Sequence, residues 1–311
     1  AVVVYVNIRC TSTPTAVMKG KNVLSKNSRI IWNPSKGHKS WARAESYDQF
    51  IEGLEGFIRQ TVEEAGLKME DVQAVGIGTV GFVKNGEVLT RANVTRAMSD
   101  EEFAKVRFLK GDLSKRLGGI AVVVEMDSKV AALGERVGSG LSNTFVVKLG
   151  TAMAGKTIAV DGNITDNFEE IRQVIVKTDR NAHPNGPTGV RGTLRSYGST
   201  EAFPVLSQEV MGEALDYSDV LKMYAEDPHG KAKEILELMG RYLARGFAKL
   251  QSIHGFKTIV LAGKNLEGAH GQVIIDSLKE TLKQEFPLLD LTIQMSTADI
   301  DYAVAVGAGY M

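Results

Sequence analysis

Largely apolar runs rich in β-branched residues punctuate this chain: AVVVYVN at 1–7, VQAVGIGTVG at 72–81 and VVVEM at 122–126. Such runs are the pattern of buried strands. Between the first two the rhythm changes, and within residues 47–66 Phe50, Ile51, Leu54, Phe57, Ile58 and Val62 fall on one side of a 3.6-residue helix. Ser46 and Gln49 stand at capping-box spacing ahead of it. MKGKNVL at 18–24 supplies a glycine turn into a second strand, so a hairpin is expected to open the chain. VKNGEVL at 83–89 centres another hairpin on Asn85-Gly86, a pair that suits a tight primed turn, and residues 100–117 read as helical.

The plan then repeats. NTFVVKLGTAMAGKTIAVDGNI at 143–164 is strand, glycine-containing turn and strand, with Asp161-Gly162 closing a further hairpin. Helices expected near 229–253 and 269–286 flank the strand KTIVLAG at 257–263, and LTIQM at 291–295 precedes a small-residue helix over 298–311. This alternation predicts two α/β domains of related topology with a cleft between them, 1–121 and 122–297, the closing helix 298–311 packing back on the first. Residues 177–192, rich in Pro and Gly, read as an ordered but irregular loop.

The strand at 122–126 hands over abruptly, through Glu125-Met126-Asp127, to an amphipathic helix. An acid at such a junction accepts hydrogen bonds from first-turn amides as a cap. Alternatively, a carboxylate at a strand end that opens onto a cleft serves as a general base. The residues alone favour the cap and leave the second role open.

Composition narrows the partners. With 311 residues and 43% apolar content the chain is long enough for two domains with a sizeable core. Its 37 basic and 37 acidic residues cancel, so no global field draws it to nucleic acid or to an anionic membrane. A single cysteine, Cys10, excludes an internal disulfide, and with no leader-like or membrane-length apolar run the expected location is the cytoplasm. Cys10 is expected to be a small buried residue rather than a nucleophile, and the histidines at 38, 183, 229, 254 and 270 show no ligand spacing.

Several stretches, in order and across nearly the whole chain, resemble the ROK family of bacterial sugar kinases and repressors. VGIGTVGFVKNGEVLTRANV at 75–94 is similar to the family's glycine strand, hairpin and sugar-contacting asparagine. EMDSKVAALGE at 125–135 resembles its NDANAAALGE, VVKLGTAMAG at 146–155 its LGTGIGGG, GTLRSYGSTEA at 192–202 its GCLEAYAS, and VLAGKNL at 260–266 its GGGV. The resemblance implies an α/β fold of two related actin-like (ribonuclease H-like) domains with an interdomain cleft. It implies ATP and Mg2+ as nucleotide and metal, and Asp127 as the base that takes the proton of the attacking sugar hydroxyl, so that Asp127 is both cap and base. Asn93 and Glu170 fall at sugar contacts, and Thr11, Gly150, Thr151 and Gly263 at retained positions of the phosphate loops. Dimers are common in the family. With no helix-turn-helix segment ahead of the first strand, the repressor branch is not expected.

The departures from the family are organised. Its DIGGTK loop is NIRCTS here, so that Asn7, Arg9, Cys10 and Ser12 replace aspartate, two glycines and lysine. Glycine in such loops lets backbone amides approach phosphate oxygens closely. Ala152, Ala154 and Lys156 stand at family glycines of the second loop, and Ala262 and Lys264 flank Gly263. The four zinc ligands of the family fall on Gln173, Gly186, Thr188 and Thr193, and a glutamate on Arg195, so no zinc or other protein-bound metal site is expected. The first expectation is therefore a kinase that phosphorylates a sugar or amino-sugar hydroxyl. The alternative is a kinase-like protein that no longer uses ATP and binds or transforms a sugar phosphate, with Arg9, Lys156, Arg172, Arg195 and Lys264 supplying charge where the family is neutral or acidic.

Overall fold

The structure, a computed structural model, describes residues 1–9, 13–20, 22–29, 31–32, 43–150, 153–165, 171–185 and 188–296. The chain divides into two compact units between Gly140 and Leu141.

The first unit opens with β1 (Val2–Ile8), β2 (Thr13–Lys19) and β3 (Asn22–Arg29), followed by α1 (Tyr47–Glu64). Then come β4 (Ala74–Thr79), the short β5 (Val83–Lys84) and β6 (Glu87–Val88), α2 (Asp100–Val106) and α3 (Leu109–Arg116). β7 (Ala121–Met126) and α4 (Asp127–Ser139) complete it. The expected opening hairpin is a three-stranded antiparallel meander, because the glycine turn at Gly20 joins β2 to β3 while β1 pairs with β2. β4 and β7 continue the sheet parallel to β1, in the order β3-β2-β1-β4-β7.

One sheet face carries Val4, Val6, Ile8, Val75 and Ile77 against α1, whose Phe50, Ile51, Leu54, Phe57, Ile58 and Val62 are all buried as the periodicity predicts. At about 2 kcal/mol for each such side chain, this packing fixes a helix that would be marginal alone. The Ser46 hydroxyl accepts from the Gln49 amide at 3.2 Å, but the Gln49 side chain accepts from the Glu45 amide, so only half of the capping box forms. On the other face Tyr5, Ala16 and Met18 pack on Val130 and Ala131 of α4. Asn85 and Gly86 both have positive φ, 55° and 82°, as a primed turn requires.

The division at Gly140 corrects the boundary expected at 121/122. β7 is hydrogen-bonded to β4 from Ala74↔Ala121 through Thr79↔Met126 and so belongs to the first sheet with α4 behind it. A run of β-branched residues reads alike whichever sheet it joins, so its sequence did not disclose its partner.

The second unit contains β8 (Thr144–Leu149), β9 (Met153–Ile158), α5 (Leu194–Tyr197), α6 (Phe203–Met211), α7 (Tyr217–Glu226), α8 (Lys231–His254), β10 (Thr258–Ala262), α9 (Gly268–Glu285) and β11 (Thr292–Met295). Its sheet runs β11-β10-β8-β9, with β9 antiparallel to β8 and β10 parallel to it. A buried core of Phe145, Val147, Leu149, Phe247, Ile259 and Leu278, among others, fills the space between this sheet and the α8 and α9 helices. The helices α6 and α7 add to the elements expected from sequence. The closing helix expected at 298–311 lies outside the described residues. Among the described residues, no helix is long and apolar enough to cross a membrane.

Candidate functional site

In the first unit, the parallel strands β1, β4 and β7 end on one line, Ile8 beside Thr79 and Thr79 beside Met126. The residues that follow therefore emerge together at the carboxyl edge of the sheet, the edge at which open α/β sheets bind ligands. Arg9 leaves β1 there, and Asp127 leaves β7. With β4 between them, their backbones stand about 10 Å apart, two strand spacings.

Asp127 is the first residue of α4, and the capping position itself is held by Met126, whose side chain makes no cap hydrogen bond. The neighbouring Glu125 is committed, accepting from the Met126 amide at 3.0 Å and from Lys129 Nζ at 2.8 Å. Asp127 is half-buried and makes no side-chain hydrogen bond or ion pair among the described residues. The dual role of cap and base expected from sequence is thus corrected in its first half: the carboxylate is not spent on capping.

Gly78 of β4 lies beside the backbone of Asp127. A Cβ placed on Gly78 of β4 would lie 2.9 Å from the Tyr5 hydroxyl and 3.5 Å from the Asp127 Cα. Tyr5 is almost fully buried, and its ring reaches across β4 only because position 78 has no side chain.

Asn7, one pleat below Arg9 and fully buried, turns its amide oxygen to the guanidinium. That oxygen accepts from Arg9 Nε at 2.9 Å and Nη2 at 3.2 Å, whereas the opposite orientation would set donor against donor. This contact orients the guanidinium. The sequence marked Asn7 only as a lost carboxylate; a buried polar residue in an otherwise apolar strand was the signal for the clamp. Asn93 opens a short 3-10 turn, Asn93–Thr95, after the β5–β6 hairpin. Its side chain, together with Thr11 and Cys10, lies outside what is described.

In the second unit, β8 and β10 also run parallel and end at Leu149 and Ala262. Gly263 follows with φ of 143°, and a Cβ there would stand 1.8 Å from the Leu149 carbonyl oxygen, so position 263 admits only glycine. The Gly150 carbonyl accepts from the Thr200 amide at 3.2 Å and the Thr200 hydroxyl at 3.0 Å. Thr151, Glu170 and the Lys264 side chain lie outside the described set. Lys156, expected in the second phosphate loop, is instead a residue of β9 opposite Val146 and is 1% exposed. The loop ends earlier than its glycine pattern suggested: β9 begins at Met153, and Gly155 is small because Phe145 and Ile171 press on it. Arg195, on α5, is paired with Glu201 at 2.9 Å.

At the four positions of the zinc ligands, Gln173, Thr188 and Thr193 offer only amide and hydroxyl groups, while Gly186 lies outside the described residues. These do not fit zinc, which takes thiolate or imidazole in closed structural sites. Among the described residues no group of three or more His, Cys, Asp or Glu side chains is placed to hold a metal.

A sequence model of the ROK family matches residues 34–311. No curated protein sequence matches the chain. In fold, the chain is similar to a ROK hexokinase from Thermus thermophilus, with a TM-score of 0.73 and 18% identity over 99% of this chain and 97% of the other. It is similar also to a ROK family glucokinase from Streptomyces griseus in complex with glucose and AMPPNP, with a TM-score of 0.70 and 18% identity over 100% and 99%. A ROK family transcriptional regulator, a homolog of the E. coli MLC protein, superposes with a TM-score of 0.73 and 16% identity over 98% of this chain and 77% of its own.

Proposed function

The chain belongs to the ROK family, and from that premise we propose that it is a carbohydrate phosphotransferase acting on a sugar or amino-sugar hydroxyl, with Asp127 as general base. The uncommitted carboxylate of Asp127 at a strand end carries this reading. A base must be free of competing hydrogen bonds to accept the proton of the attacking hydroxyl, and a positioned carboxylate is worth about 10²- to 10⁴-fold in rate. ATP is the phosphoryl donor in this reading, and Mg2+, when bound, would neutralise charge on its phosphates. Asn93 and Glu170 would orient the sugar ring. Thr11, Gly150, Thr151 and Gly263 would contact phosphate. The known kinases of like fold, among them the glucokinase that binds glucose and AMPPNP, support the assignment.

The Asn7–Arg9 contact favours a second reading, in which a sugar phosphate replaces ATP as ligand. An oriented guanidinium is suited to a compact phosphate, while a side chain at position 9 narrows the approach of an extended triphosphate to the backbone. Calorimetric titration with ATP and Mg2+ in the presence of a sugar panel, followed by assay for the phosphorylated sugar, separates the two. Tight ATP binding with product formation supports the kinase, and heat only from sugar phosphates supports the second.

A further inference from the structure

The segment at 173–193 is where the family's metal would bind, and here its residues hydrogen-bond to one another. Gln173 ends a 3-10 turn, Ile171–Gln173, and its Oε1 accepts from the Thr188 hydroxyl at 3.3 Å and from Asn185 Nδ2 at 3.5 Å. Asn185 Nδ2 also donates to the Thr193 hydroxyl at 3.4 Å. Asn185 and Thr193 are 1% and 0% exposed, and Asn185 Oδ1 has no hydrogen-bond partner.

These contacts join three parts of the chain that a metal would otherwise hold. Gln173 lies ahead of the loop, Asn185 and Thr188 sit within it, and Thr193 immediately precedes α5, where the loop returns. Between them the backbone pairs Pro184 with Arg191 and Ile175 with Thr193, and the His183 amide donates to the Tyr197 hydroxyl at 2.8 Å. A neutral cluster of this kind costs little to bury because most of its donors and acceptors are matched.

We infer that Gln173, Asn185, Thr188 and Thr193 form a metal-free brace that closes the 173–193 loop in place of a zinc cross-link. The bonds lie at the long end of the hydrogen-bond range and one buried oxygen is unmatched, so the brace is weaker than zinc coordination and the loop opens more readily. Replacing Asn185 and its partners is therefore felt as local opening rather than as loss of a cofactor.

Tryptic cleavage of the purified full chain at Arg180 and Arg191, both exposed on this loop, measures that opening. Wild-type protein is expected to contain no stoichiometric zinc by elemental analysis and to be cut at the same rate with and without EDTA. The shape-conserving Thr193→Val, which removes one of these bonds, should speed cleavage about fivefold, the effect of one net hydrogen bond on an opening equilibrium, and Gln173→Ala, which removes two, should speed it more. Circular dichroism confirms that each variant is folded; should Gln173→Ala fail to fold, Thr193→Val alone decides. The combined variant Gln173→His, Gly186→Cys, Thr188→Cys, Thr193→Cys should take up about one zinc per chain and become EDTA-sensitive in the same cleavage assay. About one zinc per wild-type chain, or cleavage unchanged in Thr193→Val, overturns the inference.

Discussion

The Tyr5 hydroxyl lies only 2.9 Å from where the β-carbon of any residue larger than glycine at position 78 would stand. Against the Asp127 Cα, 3.5 Å away, the same atom would make only an ordinary van der Waals contact. Gly78→Ala should therefore displace the tyrosine, whose ring packs on Val130 and Ala131 of α4. If Asp127 is the base, turnover should fall by up to about 100-fold, the effect of roughly 1 Å of misplacement. Overpacking here should cost about 1–3 kcal/mol of stability, read from denaturant melts. Unchanged kcat in a destabilised but folded variant would detach this contact from catalysis.

Asp127→Asn keeps the size of the side chain and removes its basicity. Turnover should be abolished while sugar affinity changes little, because a base acts on the transferring proton rather than on ground-state binding. Retention of more than about a tenth of the wild-type rate would remove Asp127 from the chemistry.

The Asn7–Arg9 pair predicts an anion preference that thermal shift can read. If the oriented guanidinium serves a phosphate, a sugar phosphate should raise Tm more than ATP with Mg2+ at equal concentration, since stabilisation follows RT ln(1 + [L]/Kd). Arg9→Gly should reduce that preference, and Asn7→Ala should do so partially by releasing the guanidinium. Equal shifts in wild type and Arg9→Gly would show that Arg9 does not contact the ligand.

His270 on α9 meets the Tyr217 hydroxyl at 3.2 Å, with Glu267 nearby. Burial holds the imidazole below its ordinary value, outweighing the opposite pull of Glu267. The unfolded chain therefore binds the proton more readily than the folded one in the range just below about pH 6.5, and stability should rise with pH through that range. This contribution is present above the unfolded value and is lost on acidification through the lowered folded one. In His270→Gln the slope of Tm against pH between about 5 and 7 should flatten; an identical slope would assign the acid sensitivity to other groups.

What the sequence revealed and what it hid divide along physical lines. The α1 face was legible because six apolar side chains recur at helical spacing and all six are buried. The Asn85-Gly86 turn was legible because positive φ restricts the residues that adopt it. The affiliation of β7 was not, since strand pairing is non-local. Lys156 was misplaced because Gly155, taken for a loop glycine, is small to fit Phe145. At the candidate site, Asp127 stood out by its position between strand and helix. The clamp on Arg9 and the cluster around Asn185 depend on side chains meeting in space, which no residue spacing encodes.

The backbone contact between Gly263 and the Leu149 carbonyl has an evolutionary consequence. Of the three positions Ala262, Gly263 and Lys264, the middle one is dictated by main-chain packing of β8 against the turn after β10, so it resists drift whatever ligand is bound. Its two neighbours are under no such constraint from that contact. Selection for or against nucleotide would then write itself into positions 262 and 264 while leaving the end of the sheet intact.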